Sequence, residues 1–272
     1  MKNINIKVGL IISLSLAVHK LPAQQENWDV YLAQYGKGPG STMVNMGIRP
    51  NAPDLNFPFV ISAGVKFVSC DSNGLTIDSE FKNLNKISDS IASTINQLVK
   101  NVLVGTFTYQ CERRDYFYVS DTIGLRQRIT GLILKRFSQY TPAISIKYDK
   151  DWTAYLDFLY PTEETMEYMQ NEKVVMKLQQ SGDKLEKERQ VDHWLYFKSE
   201  TDRACFITYA EKNHYKIESK TKENRIELPY KLQLSRIDKV DLPTITKITL
   251  ELRTEAKKCN GNYDGWETFV IK

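Results

Sequence analysis

The order of the predicted secondary-structure elements constrains the fold of this chain more than any single motif does. In the second half, an aromatic and aliphatic strand (Val191–Lys198) precedes a helix that begins at Ser199, where Asp202 completes a capping box. Two strands around a polar turn follow, then a helix that begins at Pro243 and a last strand, Trp266–Ile271. This β-α-β-β-α-β order is typical of a split-βαβ sandwich.

The first half shows the same order behind an additional hairpin. Its two strands, Trp28–Tyr35 and Thr42–Ile48, flank a glycine-rich loop that lacks the Lys-Ser/Thr pair of a phosphate-binding loop. Two later segments space their apolar residues by three and four, as amphipathic helices do. These residues are Phe81, Leu84, Ile87, Ile91, Ile95 and Leu98 in the first segment, and Leu125, Ile129, Leu132, Ile133 and Phe137 in the second. We predict that Trp152–Leu159 adds a closing strand.

We therefore predict an α+β protein of two tandem ferredoxin-like (split-βαβ) sandwiches, each an antiparallel sheet with helices on one face. About 250 residues with 42% apolar composition can bury two ordinary cores. The predicted division is a signal peptide at 1–23, an N-terminal α+β domain at 24–161 and a second ferredoxin-like domain at 162–272. The charge run Asp183–Arg189 is interpreted as a solvated linker.

The N-terminus has the pattern of a secretory signal peptide. Two lysines within Met1–Lys7 precede an apolar run at Val8–Val18 and a polar segment that ends near Ala23 or Gln24. The apolar run has about half the length that a membrane-spanning helix needs. We therefore expect an exported protein, periplasmic or secreted, without a permanent membrane anchor.

Net charge and the absence of motifs exclude several function classes. The chain carries 37 basic and 33 acidic residues, and residues 1–23 contain three of the lysines and no acid. Without them, 34 basic residues face 33 acidic ones, a net charge of +1, which attracts phosphate backbones little. We expect no nucleic-acid partner. The sequence contains no HExxH, GxSxG or dinucleotide fingerprint, so we predict no catalytic residue, cofactor or metal.

Four cysteines in an exported chain suggest disulfide bonds, with three possible pairings. In a split-βαβ sheet, the first and second strands are parallel, so Cys70 and Cys111, which follow them, lie at one edge. The two helices are antiparallel, so the start of the first, at Cys205, meets the end of the second, at Cys259. We predict the bonds Cys70–Cys111 and Cys205–Cys259, with four reduced thiols as the alternative.

Two histidines, His193 and His214, lie beyond the predicted signal peptide. Asp192, His193 and Trp194 together resemble a metal or general-base cluster, but consecutive residues of a strand point to opposite faces. We interpret His193 as a structural or surface residue, with a role as ligand or base as the alternative. His214 lies at a predicted helix end, where a cation interacts favourably with the helix dipole.

Other polar and aromatic residues have structural and functional interpretations. Arg113 and Arg114 lie in a predicted hairpin tip, which is either an exposed turn or a site for an anionic partner. Near the C-terminus, Asp264 and Trp266 flank a glycine, a residue that adopts backbone conformations others resist. We interpret this element as structural with a possible interface role. The candidate interface residues are Asp192, His193, Trp194, Tyr263, Asp264 and Trp266.

Two segments carry a resemblance to a known family. Val191–Phe197 and Asn262–Phe269 (NYDGWETF), with the strand–helix order between them, resemble the family of the regulator of ribonuclease E activity B over about a hundred residues. The first domain, which ends in Phe158–Pro161 (FLYP), resembles an uncharacterised family often fused ahead of such domains. The resemblance implies a ferredoxin-like fold and a protein-binding role as a ribonuclease inhibitor. That target is cytoplasmic, whereas this chain is predicted to be exported, so the target is not carried over.

The function that we predict is that of an exported, non-enzymatic protein-binding or regulatory protein. Two alternatives remain open at this point. One is a periplasmic hydrolase or ligand-binding enzyme with a site between the domains, using His193 or Asp264 with nearby carboxylates. The other is a regulator resembling the ribonuclease regulators, if the chain is not exported.

Overall fold

The computed structural model describes residues 26–224 and 227–272, so the predicted signal peptide at 1–23 lies outside the described residues. The first sheet has six strands, and every hydrogen-bonded pair in it is antiparallel. They are β1 (Trp28–Tyr35), β2 (Gly38–Asn45), β3 (Phe59–Lys66), β4 (Asn101–Tyr109), β5 (Glu112–Val119) and β6 (Thr141–Tyr148). Their order across the sheet is β1-β2-β4-β5-β3-β6.

Two helices cover one face of the first sheet. Helix α1 (Asp78–Leu98) follows β3, and helix α2 (Leu125–Arg136) follows β5. The predicted helical spacing is present in the middle of α1 and along α2, because the buried side chains there lie in one core with those of the sheet. That core includes Ile61, Val65, Leu84, Ile87, Ile91, Ile95, Phe117, Ile129 and Ile133. Phe81 and Leu98, predicted on the same face of α1, lie near its two ends and are exposed.

The second sheet has four antiparallel strands: β7 (Arg189–Phe197), β8 (Lys216–Lys222), β9 (Tyr230–Asp238) and β10 (Gly261–Glu267). Helix α4 (Glu200–Lys212) follows β7, and helix α5 (Leu242–Lys258) follows β9. The predicted cap is present, since the Ser199 hydroxyl accepts a hydrogen bond from the Asp202 amide at 3.1 Å. Both helices pack on the face of the sheet that carries Leu195, Phe197, Leu232 and Leu234.

The predicted α+β class with two antiparallel sheets is confirmed. In the second sheet the strand order is β10-β7-β9-β8, and in the first sheet β6-β3-β5-β4 form the same sequence of fourth, first, third and second strand. We interpret this order as the split-βαβ arrangement. The β1–β2 hairpin extends the first sheet beyond β4.

The predicted closing strand at Trp152–Leu159 is wrong, because Ala154–Leu159 form a single π-helical turn. Asp149 explains the difference: its carboxylate accepts hydrogen bonds from the backbone N–H groups of Thr153 and Ala154, both at 2.9 Å. These bonds begin a helical turn where the hydrophobic pattern alone indicates a strand. The turn packs on the face of the first sheet opposite α1 and α2, where Trp152 stacks on Tyr118 with ring centroids 4.0 Å apart. Helices therefore do not cover only one face of this sheet.

The prediction of a solvated linker at Asp183–Arg189 is also wrong in part. Asp183, Leu185 and Arg189 are buried, and Asp183 forms an ion pair with Arg189. The Asp183 carboxylate also accepts a hydrogen bond from the Ile271 amide at 2.7 Å, and the Arg189 guanidinium donates to the Phe269 carbonyl at 3.2 Å. The segment therefore anchors the C-terminal residues. The last strand spans Gly261–Glu267, so the predicted strand Trp266–Ile271 begins too late and ends too late.

Helix α3 (Glu163–Gln180) contacts both halves of the chain. Met169 lies in the core that contains Tyr31, and the Lys173 ammonium pairs with the Asp29 carboxylate at 2.5 Å. Further along α3, Val175 and Leu178 pack in a different core with residues of the second half. We propose the domain division at 161/162 with α3 as the connecting helix.

Within residues 26–224 and 227–272, no helix combines the length and the apolar composition that a bilayer-spanning segment needs.

Candidate interaction surface

The six candidate interface residues fall in four different environments. His193 is buried on the helix side of the second sheet, with none of its surface exposed. Its Nδ1 lies 2.9 Å from the Tyr263 hydroxyl, while its Nε2 is buried without a hydrogen-bond partner in the described part of the chain. Rings of Tyr215 and Tyr263 pack against the imidazole at centroid distances of 5.9 Å. His193 is thus enclosed by aromatic side chains.

Burial determines the protonation state of this histidine. The loss of hydration disfavours the imidazolium, and the Arg236 guanidinium adds repulsion, so the pKa of His193 is lowered to about 3. Burial likewise raises the pKa of the Tyr263 hydroxyl well above its ordinary value. His193 is neutral in neutral solution and has no contact with solvent. This environment supports a structural role for His193 over the alternative role of general base or metal ligand.

Trp266 connects the second sheet to α3. Its indole Nε1 donates to the Asn171 side-chain oxygen Oδ1 at 2.7 Å, and the Asn171 side-chain Nδ2 donates to the Thr249 hydroxyl of α5 at 2.8 Å. Asn171 is buried, so this network satisfies polar groups that would otherwise be costly to bury. Trp266 therefore contributes to the junction of α3, α5 and β10 and is only half-exposed.

Asp264 occupies an irregularity in β10. The register shifts between Tyr263, which pairs with Leu195, and Gly265, which pairs with Trp194, so Asp264 is the extra residue of a bulge and is exposed. Gly265 has φ = +147°, which is unfavourable for other residues. The glycine that the sequence analysis singles out is thus required by the backbone.

Asp192 and Trp194 lie on the side of the second sheet opposite His193. We call the surface formed by Asp192, Trp194, Gln233 and Ser235 the open face. None of the hydrophobic core clusters of the described residues includes a member of it. The strand register places Trp194 beside Gln233 and Asp192 beside Ser235. Among the described residues, no hydrophobic core therefore extends onto the open face, in which Ser235 is buried and Trp194 is half-buried.

Trp194 is the large side chain at the centre of the open face. It is half-buried, and its indole Nε1 has no hydrogen-bond partner in the described part of the chain. Beside it, a Cβ built on Gly265 would meet no atom within 4 Å. The indole therefore borders open space on the β10 side.

Polar side chains surround Trp194 and hold one another in place. The Gln233 amide donates to the Asp192 carboxylate at 3.4 Å, and the Ser235 hydroxyl donates to the Glu218 carboxylate at 2.7 Å. On the other side, the Lys231 ammonium lies 5.7 Å from the centre of the Tyr196 ring. An apolar ring within a polar surround is the usual composition of a protein interface.

Sequence reasoning missed Gln233, Ser235 and Asn171, because each acts through a neighbour distant in the chain. For Gln233 and Ser235 the sequence signal was the alternation of polar and apolar residues along β9, which gives the face of a strand and not its register. Asn171 lies on α3, outside that pattern. It also misplaced Arg113 and Arg114, which lie within β5; the turn is at Gln110 and Cys111, both with positive φ. His214 lies two residues after the end of α4, next to its C-cap Asn213, and is exposed.

Both predicted cysteine pairs are disulfide-bonded in the structure. The Cα atoms of Cys70 and Cys111 are 5.6 Å apart, and those of Cys205 and Cys259 are 5.9 Å apart. Each bond lies within one half of the chain, between elements that the strand order brings together. Across the described ranges, no group of three or more His, Cys, Asp or Glu side chains is placed to hold a metal ion.

Comparison with sequence families matches each half of the chain separately. Residues 169–268 match the family described as regulator of ribonuclease activity B, which confirms the resemblance of the C-terminal part. Residues 26–160 match a family of unknown function (DUF695). No curated protein matches the chain. The first match contains β7 and β10, and so the whole set of candidate interface residues.

Proposed function

We propose that this protein is an exported, non-enzymatic regulator that binds a protein partner through the open face of its second domain. The observation that carries the proposal is Trp194, a half-buried tryptophan whose N–H has no partner in the described part of the chain and which lies outside every hydrophobic core of those residues. Tryptophan is enriched at the energetic centres of protein interfaces, because it buries a large area and offers one hydrogen-bond donor. The name of the matched family, a regulator of ribonuclease activity, supports a regulatory role.

Export is supported by the two disulfide bonds, since such bonds persist in oxidising compartments. It implies a partner outside the cytoplasm rather than a cytoplasmic ribonuclease. We expect the mature protein from its host to lack about 23 residues, the length of the proposed signal, and to have no thiol that alkylates before reduction. Intact mass combined with cell fractionation measures both. An uncleaved cytosolic protein with four alkylatable thiols would contradict export and favour a ribonuclease as target.

The enzymatic alternative has less support. Its named base, His193, is buried and neutral, and Asp264 lies at an exposed bulge of another strand. A hydrolase would need these groups in one accessible site. The geometry therefore favours binding over catalysis at the predicted residues.

The binding proposal is tested with a photo-crosslinking residue at Gln233, beside Trp194. We expect the mature protein to form a specific crosslink in the host envelope. Replacement Trp194→Ala should weaken the captured complex by about tenfold or more, as the loss of an interface centre does. Phe81→Ala is the control, because Phe81 is an exposed aromatic residue of α1 in the first domain.

Three results would count against this surface. These are a crosslink that persists in Trp194→Ala, an equal loss in Phe81→Ala, or no crosslink at all.

A further inference from the structure

A groove of about 490 Å³ lies on the side of the first sheet opposite α1 and α2. Strands β3, β5 and β6 form its floor, and the strand register places Tyr116, Ser62 and Ser145 in one row. The π-helical turn forms one wall with Asp157 and Phe158. We call this the sheet groove. Its size is that of a small-ligand site.

The wall of the sheet groove is fixed by Asp149. Its carboxylate accepts hydrogen bonds from the Tyr118 hydroxyl at 2.5 Å, from the backbone N–H groups of Thr153 and Ala154, and from the Thr153 hydroxyl. Asp149 thus has its acceptor capacity occupied by the protein. Asp157, one residue before Phe158, is exposed and has no hydrogen-bond or ion-pair partner within the ranges that the structure describes. It is the carboxylate available to a ligand.

Arg114 places a hydrogen-bond donor in a fixed position on the floor of the sheet groove. Its Nη1 lies 3.3 Å from the Ser62 hydroxyl, and its Nε is paired with Glu112, which fixes the plane of the half-buried guanidinium. Lys147 is the other cation of the lining, and Asp149 and Asp157 are its two acids. Cations and carboxylates are therefore balanced. A highly charged anion such as a phosphate is not favoured by this lining.

Aromatic rings continue from the sheet groove across the neighbouring strands. Phe158 lies 6.0 Å from Tyr116 and 4.9 Å from Phe107, and Phe107 lies 5.2 Å from Tyr35, measured between ring centroids. Phe158 is 37% exposed, a large value for a phenylalanine that belongs to such a cluster. The cluster thus offers apolar ring surface to a ligand that lies along the sheet.

We propose that the sheet groove binds a neutral saccharide. Each sugar hydroxyl both donates and accepts, and the lining offers donors, acceptors and hydroxyl groups together with rings on which sugar C–H groups pack. A peptide added as a strand would pair with the outer edge of β6, the end strand of the sheet among the described residues, and would not lie across the floor, where β3 and β5 are paired on both sides. The proposal concerns the first domain and is independent of the open face.

The test is a titration of the mature full chain with neutral trisaccharides: cellotriose, maltotriose, mannotriose and triacetylchitotriose. We expect at least one to give saturable NMR shifts at β3, β6 and the π-helical turn. Phe158→Ala and Asp157→Asn should each weaken that binding by about tenfold. The control Phe81→Ala, at an aromatic residue with 46% exposure outside the groove, should leave it unchanged.

Several outcomes would overturn the proposal. They are no saturable shift with any of the four sugars at millimolar concentration, shifts that Phe158→Ala leaves unchanged, or tighter binding of inorganic phosphate than of any sugar. Loss of partner capture at the open face has no bearing on these results, so the two proposals fail separately.

Discussion

His193 is a titratable side chain enclosed by Tyr215 and Tyr263, with one ring nitrogen unpartnered in the described part of the chain. A neutral imidazole fits this environment because it can exchange one hydrogen bond with Tyr263 without carrying charge. Protonation would place a cation in the core near Arg236. The residue thus links the stability of the second domain to acid pH.

We expect protonation of His193 to lower the free energy of unfolding as the pH decreases. The folded-state pKa of His193, about 3, is below the unfolded value of about 6.5, so the unfolded chain binds a proton that the folded protein excludes. The stabilisation from keeping His193 neutral is complete above the unfolded-state pKa. It decreases by about 1.4 kcal/mol per pH unit as the pH falls from the unfolded-state pKa toward the folded-state pKa. His193→Gln should reduce this slope, as measured by urea unfolding between these pH values.

His214→Gln is the matched control for that measurement, because His214 is exposed on the same domain. It should keep the pH dependence of the wild type. If the unfolding free energy of His193→Gln depended on pH as steeply as that of the wild type and of His214→Gln, His193 would not be the group that takes up a proton on unfolding.

Among the elements, the segment Asp183–Arg189 shows how a charge run can be part of a core. Asp183 and Arg189 have side-chain exposures of 1% and 0%, and the pKa of Asp183 is lowered chiefly by the hydrogen bond from Arg189. In the folded protein, the Asp183 carboxylate is therefore charged at all but strongly acidic pH. Leu185, which lies between them in the sequence, is also buried. The pair also binds the backbone of Phe269 and Ile271, so it secures a segment that has left the sheet.

Removal of one charge from this pair should be strongly destabilising. Arg189→Met leaves the Asp183 carboxylate buried without its counterion, which typically costs about 3–5 kcal/mol. We expect a corresponding drop in the free energy of unfolding in urea, with faster hydrogen exchange at the Ile271 amide. Lys187→Met, at an exposed residue of the same segment, should change either quantity little. Equal stability of the two variants would contradict a structural role for the pair.

For the whole molecule, the two halves have separate cores and separate disulfide bonds, and α3 contacts both. The disulfides join residues 41 and 54 positions apart, at the ends of elements that the strand order brings together. Each bond restricts the unfolded chain of one half. The architecture therefore predicts that stability is distributed between two units.

Loss of one disulfide should affect one half more than the other. Replacement of Cys205 and Cys259 by Ser should destabilise by about 2–4 kcal/mol, since the unfolded chain regains the entropy of a long loop. Hydrogen exchange followed by mass spectrometry should show the larger loss of protection in β7–β10. The matched variant, with Cys70 and Cys111 replaced by Ser, should show it in β3–β6. A uniform loss in both variants would indicate a single cooperative unit.

Local patterns were sufficient to predict many elements of this fold. Residue spacing over a few positions predicted the helical faces of α1 and α2, the Ser199 cap and the repeated order of elements. They predicted the α+β class, and the strand order that they implied selected the two cysteine pairs. Where a single side chain reorganised the backbone, as Asp149 does at the π-helical turn, the pattern predicted the wrong element.

The sequence by itself determined most of the elements, their order and the residue types that an interface would use. Only the tertiary structure decided which of those residues are accessible. Neighbouring positions of one strand, His193 and Trp194, end on opposite faces, one buried and one bordering open space. The burial of Asp183 and Arg189 and the bond from Trp266 to Asn171 depend on contacts across 80 or more residues. Such contacts follow from packing in three dimensions, because no local spacing encodes which distant segment covers a given face.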